Sequence, residues 1–357
     1  MKNLRAILKA SGPLLRYKLL GHRSPLLLSL HVTNRCNLRC SYCWASPARS
    51  EPVDLTTETF KKLLDAMYGI GTRILWLQGG EPLLNPHIDE MVSYVKARNM
   101  ACELTTNGWF AEQKMDTLVK TDSVCFSVDG DEAAHDSVRG QGSHRRLVQA
   151  MRAGRERGLS FRINCVLARH NLGRETVDYM CRLAREVGSQ VTFPLAMVTV
   201  EHDRAGRATG AEDLDIGRYR DVLTYLIRKK EEGEPIRNSF ESLHRMLGWK
   251  LGYQDIVDRE SAPPGTVECL YGRLVAYLDS DGTLYPCTRL FGTRDEGANV
   301  FELGPQEAWN RVTQRDCYAC ARLTDMHRVM TLNPALVARH FLSLVRTRSD
   351  VSQEQRS

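Results

Sequence analysis

Between about residues 26 and 195, short apolar runs alternate with amphipathic stretches, and this alternation constrains the fold more than any other feature. Residues 26–32, 73–78, 101–105, 123–128, 161–167 and 190–193 read as strands, being short, apolar and bounded by polar or turn residues. Residues 58–68, 145–157 and 175–187 carry the apolar spacing of helices. Another helix is expected from Asn85 to about Arg98, with Asn85 as N-cap and Pro86 at the first helical position. Strands separated by helices imply a parallel sheet with right-handed crossovers. Six units are fewer than the eight that close a barrel, so the expected fold is α/β, a partial (βα)6 barrel of the TIM type. Chemistry is then expected at the C-terminal ends of the strands.

The barrel accounts for residues 26–200 of the 357, and the rest of the chain is organised differently. The polar stretch 200–213 reads as a linker and 215–230 and 239–251 as helices, a connecting region over 201–261. Residues 273–278 and 283–285 flank Ser280-Asp281-Gly282, and Asp-Gly between strand-like runs is a strong hairpin signal. A small second domain built on that hairpin is expected over 262–325, followed by a helix and polar tail over 326–357.

Charge narrows the partners. The chain carries 49 Lys and Arg against 43 Asp and Glu, a net charge of +6. Lys2, Arg5, Lys9, Arg16, Lys18 and Arg23 account for that excess, because residues 1–23 contain no acid. Leu4, Ile7, Leu8, Leu14, Leu15, Leu19 and Leu20 interleave with them, making residues 1–25 a basic amphipathic segment. Two readings stay open: peripheral contact with an anionic membrane, or a helix packed on the barrel with its basic face in water. Gly12-Pro13 is expected to break the segment into two pieces. Nothing resembles a nucleic-acid-binding module, so no nucleic-acid partner is expected. No apolar run approaches the roughly 18 residues of a membrane span. Lys2, Arg5 and Lys9 interrupt any signal-peptide core, so a cytoplasmic location is expected, with the inner face of the membrane open to the N-terminal segment.

Eleven cysteines without an export signal point to metal or catalytic thiols rather than disulfides. Cys36, Cys40 and Cys43 stand in C-x3-C-x2-C spacing just after the first strand. Three thiolates on one loop can hold three irons of a 4Fe–4S cube and leave the fourth open; incidental thiols or half a zinc knuckle are the alternatives. The next strands end in Gln78-Gly79-Gly80-Glu81-Pro82, Thr105-Thr106-Asn107-Gly108 and Ser127-Val128-Asp129-Gly130, with His135 to Gly140 following. The glycines let backbone approach a ligand, and Glu81 supplies an acceptor for an ammonium group. Asn-Gly and Asp-Gly are turn formers first, and their recurrence after successive strands is the signal.

Cys269 and Cys287 form a second set with Cys317 and Cys320, the first two separated by x12-Gly-x4 around Gly282. Four thiolates fit either structural zinc or a fully ligated iron–sulfur cluster. Cys102, Cys125, Cys165 and Cys181 lie within strands or a helix, where buried packing is the main reading and a hydrogen-atom donor the minor one. His31, Glu103 and Asn164 alternate with apolar neighbours, as substrate-facing groups or satisfied core groups would.

On these motifs residues 26–200 resemble the radical S-adenosylmethionine (SAM) superfamily. The resemblance implies that Cys36, Cys40 and Cys43 ligate a 4Fe–4S cluster whose open iron is chelated by the amino and carboxylate groups of SAM. It places Tyr42 near the adenine, Gly79, Gly80 and Glu81 at the methionine ammonium, and Asn107 at the cofactor. Ser127 and Arg139 look like the pair that contacts ribose and carboxylate in the sulfatase-maturase branch. Residues 262–325 resemble the front of a SPASM domain. No cysteine follows Cys320, so the match is to the shortened twitch form, with Cys269, Cys287, Cys317 and Cys320 holding one auxiliary 4Fe–4S cluster.

The implied chemistry starts with a flavodoxin- or ferredoxin-type reductant. Reductive cleavage of SAM then yields a 5′-deoxyadenosyl radical that abstracts hydrogen from substrate. Peptide maturases of similar architecture usually carry a recognition domain in front or a full SPASM domain. Fewer than thirty residues precede the first strand here, which favours a non-peptide small molecule, carbohydrate-like or lipid-linked, that is oxidised or rearranged. A peptide or protein side-chain maturase is the first alternative, and a non-catalytic metal-binding or redox-sensing protein the second. No acid–base catalytic residue emerges from the sequence.

Overall fold

A computed structural model describes residues 2–43, 53–196, 215–253, 255–264, 266, 268–292, 297–313 and 317–321. The 200–213 linker and the 326–357 tail lie outside the described residues. Helix α1 (Lys2–Leu20) precedes β1 (Leu27–His31). The barrel continues through α2 (Thr57–Gly69), β2 (Ile74–Gln78), α3 (Ile88–Ala97), β3 (Ala101–Thr106), the short α4 (Met115–Leu118) and β4 (Ser123–Ser127). It closes its run with α5 (Glu132–Arg139), α6 (Ser143–Glu156), β5 (Phe161–Asn164), α7 (Arg174–Glu186) and β6 (Val191–Thr192). Then come α8 (Ile216–Glu231), α9 (Phe240–Leu247), β7 (Ile256–Asp258), β8 (Val275–Leu278), β9 (Thr283–Tyr285), β10 (Ala298–Asn299), α10 (Val300–Leu303), α11 (Pro305–Val312) and β11 (Cys317–Cys320).

Strands β1 to β6 pair in parallel and in sequence order, as the alternating pattern requires. The sheet does not stop at β1. Strand β8 pairs in parallel with its outer edge, Leu27 opposite Val275, and β9 and β10 follow antiparallel, giving nine strands in one sheet. The Asp-Gly hairpin is therefore hydrogen-bonded directly to the barrel.

Side chains along a strand alternate between two faces. Leu28 and Leu30 of β1, Leu75 and Leu77 of β2, Cys102 and Leu104 of β3, Val124 and Phe126 of β4 and Ile163 of β5 join the helices in the main apolar core. The opposite parity lines the inside of the barrel. Its lowest layer is apolar: Leu27, Ile74, Ala101 and Val275, first residues of β1, β2, β3 and β8, form a second cluster with Leu14 and Tyr17 of α1. Above that layer the lining keeps Trp76 and Tyr277 on the β2 and β8 side and turns polar across β3 to β6. Register places Glu103 beside Ser123, Thr105 beside Cys125 and Arg162, and Ser127 beside Asn164 and Thr192.

Two expectations change and one helix is new. Asn85 does not cap a helix; its amide donates to Val32 O (2.8 Å) and Leu55 O (3.0 Å) and its Oδ1 accepts from His87 N–H, so α3 starts only at Ile88. The side chain is consumed in tying two loops to the end of β1. Residues 132–139, for which the sequence pattern names no element, form α5, capped by Asp131, whose carboxylate accepts from Ala134 N–H (2.9 Å). Gly12-Pro13 does not divide the N-terminal segment: α1 runs through Pro13, which removes one backbone bond, while Leu14 and Tyr17 hold the helix on the barrel.

Candidate functional site

Beyond β1 the chain leaves the sheet as the loop that carries Cys36, Cys40 and Cys43. The end of β2 runs alongside it: Gly80 N–H donates to Thr33 O (2.9 Å) and Glu81 N–H to Arg35 O (2.8 Å). A Cβ on Gly80 would lie 2.1 Å from Arg35 O and 2.9 Å from Cys36 N, and one on Gly79 would lie 2.3 Å from Thr33 O. The close approach these glycines permit is thus to the cysteine loop itself. Arg35 locks the loop from outside, its guanidinium reaching Asp54 (2.5 Å) and Leu84 O (3.1 Å).

Glu81 is fully buried, and its carboxylate accepts from Leu83 N–H (3.1 Å), Thr106 Oγ1 (2.7 Å) and Asn107 N–H (2.7 Å). Burial pushes the carboxyl up to about 7, with those bonds pulling the other way. Asn107 joins β3 to the loop, donating from Nδ2 to Asn37 Oδ1 (3.0 Å) and toward Cys36 Sγ (3.9 Å). Leu38 N–H also points at Cys36 Sγ (3.4 Å). Burial pushes the Cys36 thiol up to about 12 and raises that of Cys40.

The other side of the loop is held by a residue to which no motif assigns a role. Asp129, just past β4 and fully buried, accepts from Tyr42 OH (2.5 Å) and Arg139 Nε (2.5 Å). Arg139 Nη2 also donates to Tyr42 OH (2.6 Å), closing a triangle. Asp129 N–H donates to His135 Nδ1 (3.1 Å), and Asn171 Nδ2 donates to Asp129 O (3.0 Å). Burial alone would raise the Asp129 carboxyl, but the Arg139 guanidinium overrides it and holds the group below its ordinary value. The Tyr42 ring stacks on His170 at 5.6 Å and packs with Ala168 and Ala196. Ser127 stands half-buried at the end of β4, and no hydrogen bond joins it to Arg139. The only hint of Asp129 in the sequence is its position at the end of a strand.

Inside the barrel, Arg162 clasps Glu103 across β4 with Nε (3.1 Å) and Nη2 (2.6 Å). Cys125 lies between their strands, its thiol pushed up to about 11 by burial, with Arg162 opposing. Of the four leftover cysteines, Cys102, Cys165 and Cys181 sit in the helix-facing core, and Cys125 alone has the parity of the interior. His31, at the top of β1, approaches Asp279 (3.7 Å) and the Phe291 ring (4.6 Å). His31, Glu103 and Asn164 all share the interior parity.

The second cysteine set converges as well. Cys269, Cys287, Cys317 and Cys320 line one pocket together with Arg273 and Leu290. Cys269 N–H donates to Tyr318 O (2.7 Å), and β11 pairs antiparallel with β7, which fixes the C-x2-C pair. Arg273 bridges the carbonyls of Cys269 (3.2 Å) and Cys317 (3.5 Å). Burial, and then the neighbouring Cys320, Cys287 and Cys317 thiols, push the Cys269 thiol well up. None of the eleven cysteines is joined in a disulfide. Among the described residues, no three His, Cys, Asp or Glu side chains stand close enough to grip a single metal ion.

A parallel partial barrel with a three-cysteine loop beyond its first strand defines a class. Residues 30–187 match the family model described as the Radical SAM superfamily. That stretch is a radical SAM domain, and the chain is an enzyme of the radical SAM class, which uses a 4Fe–4S cluster and SAM. It is 26% identical over 275 residues to the AdoMet-dependent heme synthase of Methanosarcina barkeri, covering 74% of this chain and 77% of that one. It is 28% identical over 298 residues to the mycofactocin maturase MftC of Mycobacterium tuberculosis, covering 81% and 71%. The SAM-bound crystal structure of Streptococcus suis SuiB superposes with a TM-score of 0.61 at 17% identity, over 81% of this chain and 66% of that one. At that identity the likeness is one of fold.

Proposed function

We propose that Cys36, Cys40 and Cys43 hold the 4Fe–4S cluster and that the adjoining strand ends hold SAM. The donor set supports this: three thiols on one loop, and N–H groups of Leu38 and Asn107 directed at Cys36 Sγ, as sulfur ligands of a cluster receive. Bound there, cluster and SAM supply a primary carbon radical that abstracts hydrogen. Glu81 has about four acceptor positions, three of them used, which leaves one for the methionine ammonium. Arg139 spends Nε and Nη2 on Asp129 and Tyr42, which leaves Nη1 for a carboxylate. The small apolar set of Tyr42, Val138, Val166, Ala168 and Ala196 suits a purine beside the loop, while Ser127 faces the ribose. Residues 262–325 act as a twitch-type unit, in which Cys269, Cys287, Cys317 and Cys320 surround an auxiliary cluster. Four thiols around a void support a cluster, which carries its own volume between its ligands.

The substrate we infer is a polar, non-peptide small molecule, carbohydrate-like, undergoing oxidation or rearrangement. One observation carries this: on its β3 to β6 side the barrel interior above the apolar floor presents hydrogen-bonding groups, Glu103, Thr105, Arg162, Asn164 and Thr192 among them. A lipid-linked substrate loses one of its supports, because α1, the basic apolar segment, packs at the opposite end of the strands from the cysteine loop. A peptide substrate is the second reading, favoured by a like fold in SuiB bound to its precursor peptide SuiA.

Anaerobic reconstitution followed by iron and sulfide analysis should give about eight irons. With dithionite and SAM, 5′-deoxyadenosine should be released. Changing Cys36, Cys40 and Cys43 together to Ala should halve the iron and abolish cleavage, and cleavage by that variant would overturn the assignment. Changing Cys269 and Cys287 to Ala should remove the other half and leave cleavage uncoupled from substrate. Polyols and amino sugars should stimulate 5′-deoxyadenosine release; stimulation by peptides alone would transfer the conclusion to the second reading.

A further inference from the structure

Helix α1 has two apolar aspects and the barrel uses one. Leu14 is 4% exposed in the cluster under the barrel, and Tyr17 beside it donates from its hydroxyl to Glu268 Oε2 (3.4 Å). Leu15 and Leu19, one helical turn apart, are 52% and 72% exposed, and Leu20 is 78% exposed. Leu19 and Leu20 are the most exposed large apolar side chains among the described residues. Arg16 is exposed beside them and Lys18 half-exposed, whereas the Arg23 guanidinium is committed to Thr313 O (2.6 Å). The first acidic residue in the chain is Glu51, so nothing within this segment neutralises its bases.

Single exposed leucines are ordinary on a soluble surface. Three on one helix, set among bases with no acid, are a different pattern. We propose that the outer face of α1 docks on an anionic lipid bilayer. The helix lies in the interfacial plane with Leu15, Leu19 and Leu20 at the headgroup–acyl boundary, and Arg16 and Lys18 rest against lipid phosphates. It is a surface contact, since no described helix is long and apolar enough to cross a membrane. A protein groove would satisfy the leucines equally; the uncompensated bases are what select anionic lipid. The contact is also a tether rather than a substrate entrance. Leu14 joins the cluster at the N-terminal ends of β1, β2 and β3, so the docked enzyme turns its cysteine loop away from the bilayer.

The test is co-sedimentation of the reconstituted full chain with vesicles of phosphatidylcholine, with and without phosphatidylglycerol. Binding is expected only with phosphatidylglycerol and should weaken with salt. Leu15→Gln combined with Leu19→Gln should abolish it. Arg16→Gln and Lys18→Gln should each weaken it about fivefold. Circular dichroism and 5′-deoxyadenosine release should match the unaltered chain, since the changed groups face outward. Absence of the unaltered chain from the phosphatidylglycerol pellet overturns the proposal. So does equal binding to both vesicle types, or a leucine-dependent self-association seen by sedimentation velocity in place of vesicle binding.

Discussion

Asp129 is tied at four points: Tyr42 and Arg139 through its carboxylate, His135 through its N–H and Asn171 through its carbonyl. The Asp129 and Arg139 charges both act on Cys40, in opposite senses. Asp129→Asn should therefore raise the reduction potential of the first cluster and Arg139→Met should lower it, with the double variant near the unaltered value. Breaking a buried pair costs roughly 3–5 kcal/mol, so iron content is checked before each redox titration. Shifts of the same sign in both single variants would remove the electrostatic account. His31 and His135 are both pushed down to about 3 by burial, against an ordinary 6.5. Between those values the folded chain binds fewer protons than the unfolded one, so stability falls as the pH drops through that window. His135→Asn keeps an acceptor for Asp129 N–H and removes one titrating ring. Its loss of stability from neutral pH to about pH 5, read by urea unfolding, should be smaller than that of the unaltered chain, and an equal loss would mean that the ring is not held neutral. Cys36, Cys40 and Cys43 were legible as candidate ligands because spacing alone proposes them. Asp129 was not, because it meets Tyr42 across 87 positions of chain and no local pattern marks such a contact.

The six barrel strands were legible at the scale of elements because apolar periodicity survives in every one: each starts within a residue of its expected run, and all but β5, which stops at Asn164 rather than 167, end within a residue of it. What escaped was decided by single side chains. Asn85 reads as a cap until Val32 and Leu55 claim its amide, and α5 is too short and polar for its periodicity to announce it. The crossing of β2 over the cysteine loop was visible only as a pair of glycines, whose partner was expected to be a ligand. Gly80→Ala drives a methyl into the Arg35 carbonyl and should cost about 3 kcal/mol by overpacking, with a matching loss of bound iron. Gly69→Ala, which meets nothing within 4 Å, is the control and should change neither. Normal iron binding by the Gly80 variant would show that the loop tolerates displacement.

Over the whole molecule, the β8–β9 hairpin between Cys269 and Cys287 shares a sheet with the strand that leads to the first cysteine loop, while Cys317 and Cys320 sit on β11 in a separate two-stranded sheet. Strand β8 lies against β1, Trp309 of α11 donates from Nε1 to Arg23 O (3.3 Å), and Arg23 reaches Thr313 O. Heating should therefore give one transition, coincident by circular dichroism and by fluorescence. Trp309→Ala, at a fully buried site, should lower it as a unit, by about 3–5 kcal/mol. Two separated transitions would mean that residues 262–321 unfold alone. The parallel joint between β1 and β8 spans about 250 residues of chain. On the ribosome, β1 is made about 250 residues before its outer neighbour. During that interval its edge is an unprotected template for foreign strands, and so distant a contact slows final closure. Assembly of the enzyme is thus ordered in time by its topology, with the last hairpin acting as the closure.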